Sequence, residues 1–357
     1  MDVIYQATVA SGERERFDAL VALLRKRLPD VYAHDAHYYA DWLISNALAA
    51  GRMDALPALA NELAGTAGKH LEVAIRVFDQ LAYHGQLAVL AADTRRAWPL
   101  VRDAGGIFDW AISEFAERAM TYAMLDYLER TADPDAAELE ALGADFDVTL
   151  VRPGGAAQFV AHITGQAGRR WTLDDFDLTE HRRRKGEPKP PTNDGRTNLY
   201  DLTVEFQGYL RREEGVSYAK GELARDQIQE YILERYAGKL SDDGDRRATK
   251  KTGRKARASA PVHLLCPDRD TLDRYLVGLL NFFSSKPYRA AALFEMVPAW
   301  LRFLEARELI DADRRSRTLR ELGGLVPDMI KIWDGYRSDP TLRQAAERWR
   351  ENAGLVY

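Results

Sequence analysis

The chain contains very little cysteine: one residue, Cys266, among 357. A single cysteine excludes an internal disulfide and a zinc site built from several thiolates. Two leucines precede Cys266, so we expect its thiol to be a small buried side chain rather than a nucleophile.

Long apolar runs are also missing. No stretch approaches the roughly eighteen uninterrupted apolar residues that a membrane span needs, and residues 1–18 lack a basic segment followed by an apolar one. The sequence therefore predicts a soluble, cytoplasmic protein with no membrane partner.

Familiar catalytic motifs are missing as well. The chain has no glycine-rich loop ending in Lys-Ser or Lys-Thr, no Gly-x-Ser-x-Gly, no His-Glu-x-x-His and no dinucleotide fingerprint. These absences argue against an enzyme of a motif-bearing class, and we predict no cofactor.

What the chain does contain is helical periodicity. Phe17, Leu20, Val21, Leu24 and Leu28 recur at the spacing of one helix face, and Pro29 ends that pattern. Similar stretches follow at 35–50, 53–66, 69–84, 86–102 and 107–131, with glycines at most of the breaks. The composition, 46% hydrophobic and 29% charged, is that of an ordinary globular protein. The predicted fold class is therefore all-α.

Two of these breaks repeat at an interval of 34 residues. "ALAAGRMDALPALANEL" and "LAYHGQLAVLAADTRRA" align with Gly51 on Gly85 and Leu56 on Leu90. This interval resembles the tetratricopeptide repeat, in which a small residue at a tight turn joins two antiparallel helices. The resemblance covers residues 35–102 and implies an α-solenoid of stacked hairpins. A bundle of unrelated helical hairpins is the alternative.

The C-terminal half carries a second internal similarity. "LTVEFQGYLRREEGVSYAKGEL" and "LDRYLVGLLNFFSSKPYRAAAL" align at an offset of 70, each reading as helix, polar turn and second helix. Further helices are predicted at 310–322, 325–336 and 340–351, the last beginning at Pro340. We expect a second helical domain here.

The predicted domains are a hairpin array at 1–131, an irregular connector at 132–196, and a helical domain at 197–357. Within the connector, residues 146–164 read either as a short β-hairpin or as a loop and a helix beginning after Gly155. Within the last domain, residues 241–262 are predicted to form a disordered basic loop.

One candidate metal site is visible in "AHDAHYYADW". On a helix, His34, His37 and Asp41 lie near one face, where two imidazoles and a carboxylate can hold a transition metal. The alternative is that Asp35 caps the helix and the histidines have no ligand role. A second candidate is the acidic stretch "WTLDDFD", which contains Asp174, Asp175 and Asp177. These acids could bind magnesium or do acid–base work. The alternative is that they form the acidic start of a helix.

Two basic stretches stand out in a chain of net charge −5. Clustered lysine and arginine can bind an acidic partner, including nucleic acid, through phosphate contacts. Without interleaved aromatic residues, the same stretches also read as solvated linkers. The candidate contact residues are Arg182, Arg183, Arg184, Lys185, Arg246, Arg247, Lys250, Lys251, Arg254, Lys255 and Arg257.

The leading interpretation is a non-catalytic interaction or scaffold protein that binds a protein or peptide on a helical-repeat surface. Its groove anchors would be Tyr38, Tyr39, Trp42, Tyr83 and Trp98, although each also fits a core position. The alternatives are a nucleic-acid-associated regulator that uses the basic stretches, and a metal-dependent enzyme built on His34, His37 and Asp41.

Overall fold

The computed structural model describes residues 1–148, 155–178, 195–240, 263–281 and 285–355. These residues form helices joined by turns, and no strand occurs among them, so the predicted all-α class is confirmed. In the first half the helices are α1 (Asp2–Ser11), α2 (Arg14–Arg27), α3 (Pro29–His34), α4 (Ala36–Ala49), α5 (Leu56–Ala64), α6 (Leu71–Tyr83), α7 (Leu87–Arg102), α8 (Asp109–Arg130), α9 (Ala136–Ala144) and α10 (Gly155–Thr164). In the second half they are α11 (Gly195–Glu213), α12 (Tyr218–Tyr236), α13 (Arg269–Leu279), α14 (Pro287–Ala306), α15 (Ala312–Leu322), α16 (Val326–Trp333) and α17 (Pro340–Asn352). Short 3-10 helices lie at Met53–Ala55, Leu173–Phe176 and Gly323–Leu325.

The region predicted as either a β-hairpin or a helix is helical where the structure describes it. Residues 155–164 form α10, which agrees with a helix beginning after Gly155. Residues 149–154, which would complete the β-hairpin, lie outside the described residues.

The chain divides into two compact units, each built from separated segments. The first unit contains Met1–Val160, Val216–Glu222 and Met329–Ala345, and the second contains Ala161–Gly215, Leu223–Asp328 and Ala346–Tyr357. The predicted division into domains at 1–131, 132–196 and 197–357 stays a prediction.

The core of the first unit begins with aromatic packing. The Tyr5 ring lies 5.0 Å from Phe17 and 5.4 Å from Trp42, which joins α1, α2 and α4. The segment Met329–Ala345 of the same unit contacts His84, whose Nε2 lies 2.6 Å from Asp339 Oδ2. Burial by itself would raise the pKa of Asp339, but His84 and Thr341 outweigh burial and lower that pKa.

Two turns of the first unit have the same geometry. Gly51 and Gly85 have φ values of 68° and 73°, in the left-handed region that favours glycine. After Gly51 the Arg52 amide donates to the Ala47 carbonyl, and after Gly85 the Gln86 amide donates to the Leu81 carbonyl, both at 2.9 Å. Each helix thus ends in a Schellman motif, which lets the next helix fold back. Helix α4 packs against α5 and α6, and α7 packs against α5 and α6.

The second unit has a core built around α11 and α14. The Phe206 ring lies 5.0 Å from Trp300, and the buried Trp300 Nε1 donates to the Leu265 carbonyl at 2.9 Å. Cys266 is buried beside it, as predicted, and burial raises the pKa of its thiol. Arg235 donates to the His263 carbonyl at 3.0 Å and to neighbouring carbonyls, so it fixes this segment.

The helices that the structure describes include none with the length and apolar content needed to cross a membrane.

Candidate interaction surface

The structure places the residues proposed as metal ligands in different environments. His34 is exposed at the end of α3, whereas His37 and Asp41 are buried on α4. The Asp41 carboxylate already accepts a hydrogen bond from Arg76 of α6. Burial raises the pKa of Asp41, and Arg76 opposes that rise. Across the part of the chain that the structure describes, no group of three or more His, Cys, Asp or Glu is arranged to hold a metal. The metal hypothesis stays a prediction, which elemental analysis of the purified protein tests.

His37 instead forms a stacked pair with His70. The two rings are nearly parallel, with centroids 3.5 Å apart and an interplanar angle of 5°. Burial, followed by the nearby His70, lowers the pKa of His37. The first unit therefore favours the neutral imidazole of His37.

Acidification should destabilise the first unit because of this pair. The folded state holds His37 with a lowered pKa, so between that pKa and about 6.5 the unfolded chain binds more protons. Stability should therefore fall as the pH drops through about 6.5. Urea unfolding from pH 7.5 to 5.5 should show a weaker pH dependence in His37→Gln. The exposed His34→Gln variant is the control, and an equal pH dependence in all three proteins would contradict the prediction.

The acids of residues 171–177 lie at the start of a short helix. Asp174 and Asp175 occupy the first turn of the 3-10 helix Leu173–Phe176. Asp175 Oδ2 accepts hydrogen bonds from the Thr172 amide at 2.8 Å and the Thr172 hydroxyl at 2.9 Å. Burial alone would raise the pKa of Asp175, but the bonds from Thr172 and Arg169 lower it. Asp175 therefore has the capping role that the acidic-start interpretation predicts.

A buried ionic cluster in the second unit was missed by sequence reasoning. Glu205 of α11 is 1% exposed, and its Oε1 lies 2.8 Å from Nδ1 of His162. The Trp171 Nε1–H donates to the same carboxylate at 3.2 Å, and Arg307 lies 3.1 Å from Oε2. Asp201, one turn earlier on α11, lies 3.7 Å from Nε2 of His162.

This cluster holds separated segments of the second unit together, and it leaves neither oxygen of Glu205 open to a ligand. A carboxylate only accepts hydrogen bonds, and both oxygens of Glu205 are already contacted by His162, Trp171 or Arg307. A buried charge is tolerated when such partners replace the lost water. No local signal marks the cluster, since its members come from four separated parts of the sequence.

Most of the aromatic residues proposed as groove anchors are core residues. Tyr39, Tyr83 and Trp98 are buried, and Trp42 is half-buried in the α1–α2–α4 core. Tyr38 is the exception, with 43% of its surface exposed. All of the predicted basic contact residues, from Arg182 to Lys185 and from Arg246 to Arg257, lie outside the described residues.

The exposed aromatic surface lies elsewhere, at the start of α8. Phe108 is 71% exposed and Trp110 is 68% exposed, and their rings stack with centroids 6.3 Å apart and an interplanar angle of 13°. Leu100 near the end of α7 is also exposed. The rings therefore bury little apolar area within the chain, which leaves their hydrophobic free energy available to a partner.

Helical spacing contains no signal for this pair. The buried residues of α8 lie on every side of the helix and include Leu125 and Leu128. At about 100° per residue, Leu128 lies at the same angle as Trp110, so the helical wheel does not separate Trp110 from the buried positions. The exposure of the two rings is visible only in the folded chain, where exposed apolar groups offer a surface to a partner.

Comparisons of the chain with protein-family models, with curated proteins and with solved structures find no match.

Proposed function

We propose that the protein is a non-catalytic interaction or scaffold protein, and that Phe108 and Trp110 anchor a protein or peptide partner. The observation that carries the proposal is the exposure of two stacked aromatic rings, each about 70% open to solvent. Tryptophan is enriched among the few interface residues that supply most of the binding energy. A stacked pair also loses little conformational freedom on binding, because each ring is already held by its neighbour.

The arrangement of helices supports a repeat scaffold for this surface. Gly51 and Gly85 end their helices in the same way, 34 residues apart. Helices α4 and α6 pack together, as do α5 and α7, which is the contact pattern of two stacked hairpins. We propose that these two hairpins are tetratricopeptide-like and that α8 extends the stack, since α8 packs on α7.

The surroundings of the aromatic pair define the chemistry of the partner. Asp109 lies between Phe108 and Trp110 in the sequence and is exposed, with no ion-pair partner among the residues that the structure describes. A partner segment with one or two apolar side chains and an adjacent lysine or arginine fits this surface.

Affinity capture from the native host, followed by titration calorimetry with the purified partner, tests the proposal. Replacing both Phe108 and Trp110 by serine should weaken the captured partner's affinity by at least 30-fold, the loss typical of one strong interface residue. Both side chains are exposed, so the variant should keep the wild-type unfolding midpoint.

A matched control separates this surface from general stickiness. Tyr236 is an exposed aromatic residue of α12, and Tyr236→Ser should bind the partner like wild type. A partner that binds wild type and the Phe108/Trp110 variant equally would show that the anchor lies elsewhere.

A further inference from the structure

The exposed aromatic pair lies at the start of an acidic strip on α8. Glu114 and Glu117 follow Trp110 at intervals of four and seven residues, which places them on the same side of the helix. Both are exposed, as is Asp109 between the two rings. We refer to Phe108, Asp109, Trp110, Glu114 and Glu117 as the α8 strip.

The charges around the α8 strip leave it negative. Of the four bases on α7 and the first half of α8, three are already paired: Arg95 with Asp145, Arg102 with Asp103 and Asp147, and Arg118 with Asp79 and Glu114. Among the residues that the structure describes, Asp109 and Glu117 have no ion-pair partner, and Arg96 is the one base of the four without one. The unpaired acids therefore outnumber the unpaired base, and a basic segment fits the strip best.

One segment of this chain has the matching chemistry. Residues 182–191, "RRRKGEPKPP", contain five basic residues, one acid and three prolines, a net charge of +4. They belong to the sixteen residues 179–194, which lie outside the described residues. A Cβ at Gly195 would lie 2.2 Å from the carbonyl oxygen of Asp177, so the chain leaves and rejoins the second unit at one place. Eight residues out and eight back reach at most about 28 Å, which is enough to contact another copy of the chain.

We propose that the α8 strip binds residues 182–191 of a second copy of this chain. Residues 108–110, "FDW", and residues 188–190, "PKP", share one pattern, in which two apolar side chains flank a charge, and the two charges are opposite. Proline segments dock on aromatic surfaces because their backbone is already restricted and loses little freedom on binding. In this pairing Lys189 of one copy meets Asp109 of the other.

The distances on the two sides agree with this pairing. In the polyproline II conformation that prolines favour, the two prolines of the "PKP" triplet are about 6 Å apart along the axis. The Phe108 and Trp110 ring centroids are 6.3 Å apart, so each ring can pack on one proline. Glu117 lies about 10 Å along α8 from Trp110, because each helical residue rises about 1.5 Å. Lys185, four residues before Lys189, can extend about 13 Å from it, so the basic run also reaches this acid.

The other basic stretch of the chain matches the α8 strip less well. Residues 246–257 carry seven basic residues but contain no proline and no aromatic side chain. They match the charge of the strip but have no ring to pack on Phe108 and Trp110. An anionic lipid surface or a nucleic acid would be repelled by Asp109 and Glu117.

Self-association of the full chain tests the proposal, which rests on the aromatic surface of the proposed function. Sedimentation velocity over about 1–200 μM should show a weight-average mass that rises from 40.3 kDa. Two variants should each weaken self-association at least tenfold. They are a strip variant, Phe108→Ser/Trp110→Ser, and a segment variant, Lys185→Ser/Pro188→Ser/Lys189→Ser/Pro190→Ser. Mixed one to one, the two variants should associate with each other, because the intact strip of one binds the intact segment of the other.

Controls distinguish this contact from general charge effects. Glu15→Gln/Glu140→Gln removes two exposed acids elsewhere in the first unit and should leave self-association unchanged. A synthetic peptide of residues 182–191 should dissociate the copies, whereas a peptide of residues 246–257 at the same concentration should not.

Three results would overturn the proposal: a chain that stays monomeric at 200 μM, a mixture of the two variants that stays monomeric, or equal competition by the two peptides. The affinity of the partner captured from the host is measured separately. A strip variant that loses this partner, in a chain that never self-associates, would overturn the present inference and leave the proposed function standing.

Discussion

Replacing Glu205 by alanine is expected to lower the free energy of unfolding by about 3–5 kcal/mol, the range found when one partner of a buried charge cluster is removed. The change leaves His162 and Trp171 without their shared acceptor, in surroundings that water does not reach. It also leaves Arg307, which is only half-buried, to find a new partner in solvent. Urea unfolding followed by far-UV circular dichroism measures the loss.

The control for this change lies on the same helix. Glu213 ends α11 in solvent, and Glu213→Ala should alter stability by no more than about 0.5 kcal/mol. Equal effects of Glu205→Ala and Glu213→Ala would mean that the ionic cluster contributes nothing to folding.

Replacing Gly208 by alanine should destabilise the second unit by about 3 kcal/mol, the upper part of the range for overpacking. A Cβ at this position would lie 1.8 Å from the carbonyl oxygen of Ile163. A backbone atom cannot move aside as a flexible side chain can, so α11 would have to shift away from residue 163. Such a shift would also disturb the bond from Arg212 to the same carbonyl. The measurement is the change in urea midpoint at constant slope.

Gly278 provides a control of opposite sign. It lies on the exposed side of α13, and a Cβ there would meet no other atom within 4 Å. Gly278→Ala should therefore raise stability by about 0.5–1 kcal/mol, because alanine favours the helix. A gain of stability in both variants would contradict the close approach of α11 to residue 163.

Gly208 and Gly278 also show what the sequence alone could not predict. They occupy equivalent positions in the two similar segments, 70 residues apart, and nothing local distinguishes them. Helical periodicity did predict elements: the helix expected to begin at Pro340 does begin there, and the turns at Gly51 and Gly85 form as glycine turns. Periodicity reports which side of a helix is buried, but not what lies against it. The contact between Gly208 and Ile163 is set by tertiary packing alone.

The candidate surface and the ionic cluster also depend on tertiary packing that periodicity does not report. Trp110 could not have been found from the helical wheel of α8, because the buried Leu128 lies five full turns further along the same side of the helix. The ionic cluster around Glu205 depends on residues 43 and 34 positions before it and on Arg307 far after it, so it required the fold itself.

The contact between His84 and Asp339 has a consequence for synthesis on the ribosome. The first unit starts at residue 1, but its last segment is Met329–Ala345. Within that segment, Asp339 lies 255 residues after its partner His84. Folding in order of emergence would leave α6 and its neighbours waiting for that segment while most of the second unit is made. A chain stopped at residue 328 should therefore expose the surface of the first unit that Met329–Ala345 normally covers. Such a nascent chain would depend on chaperones until the last segment is released.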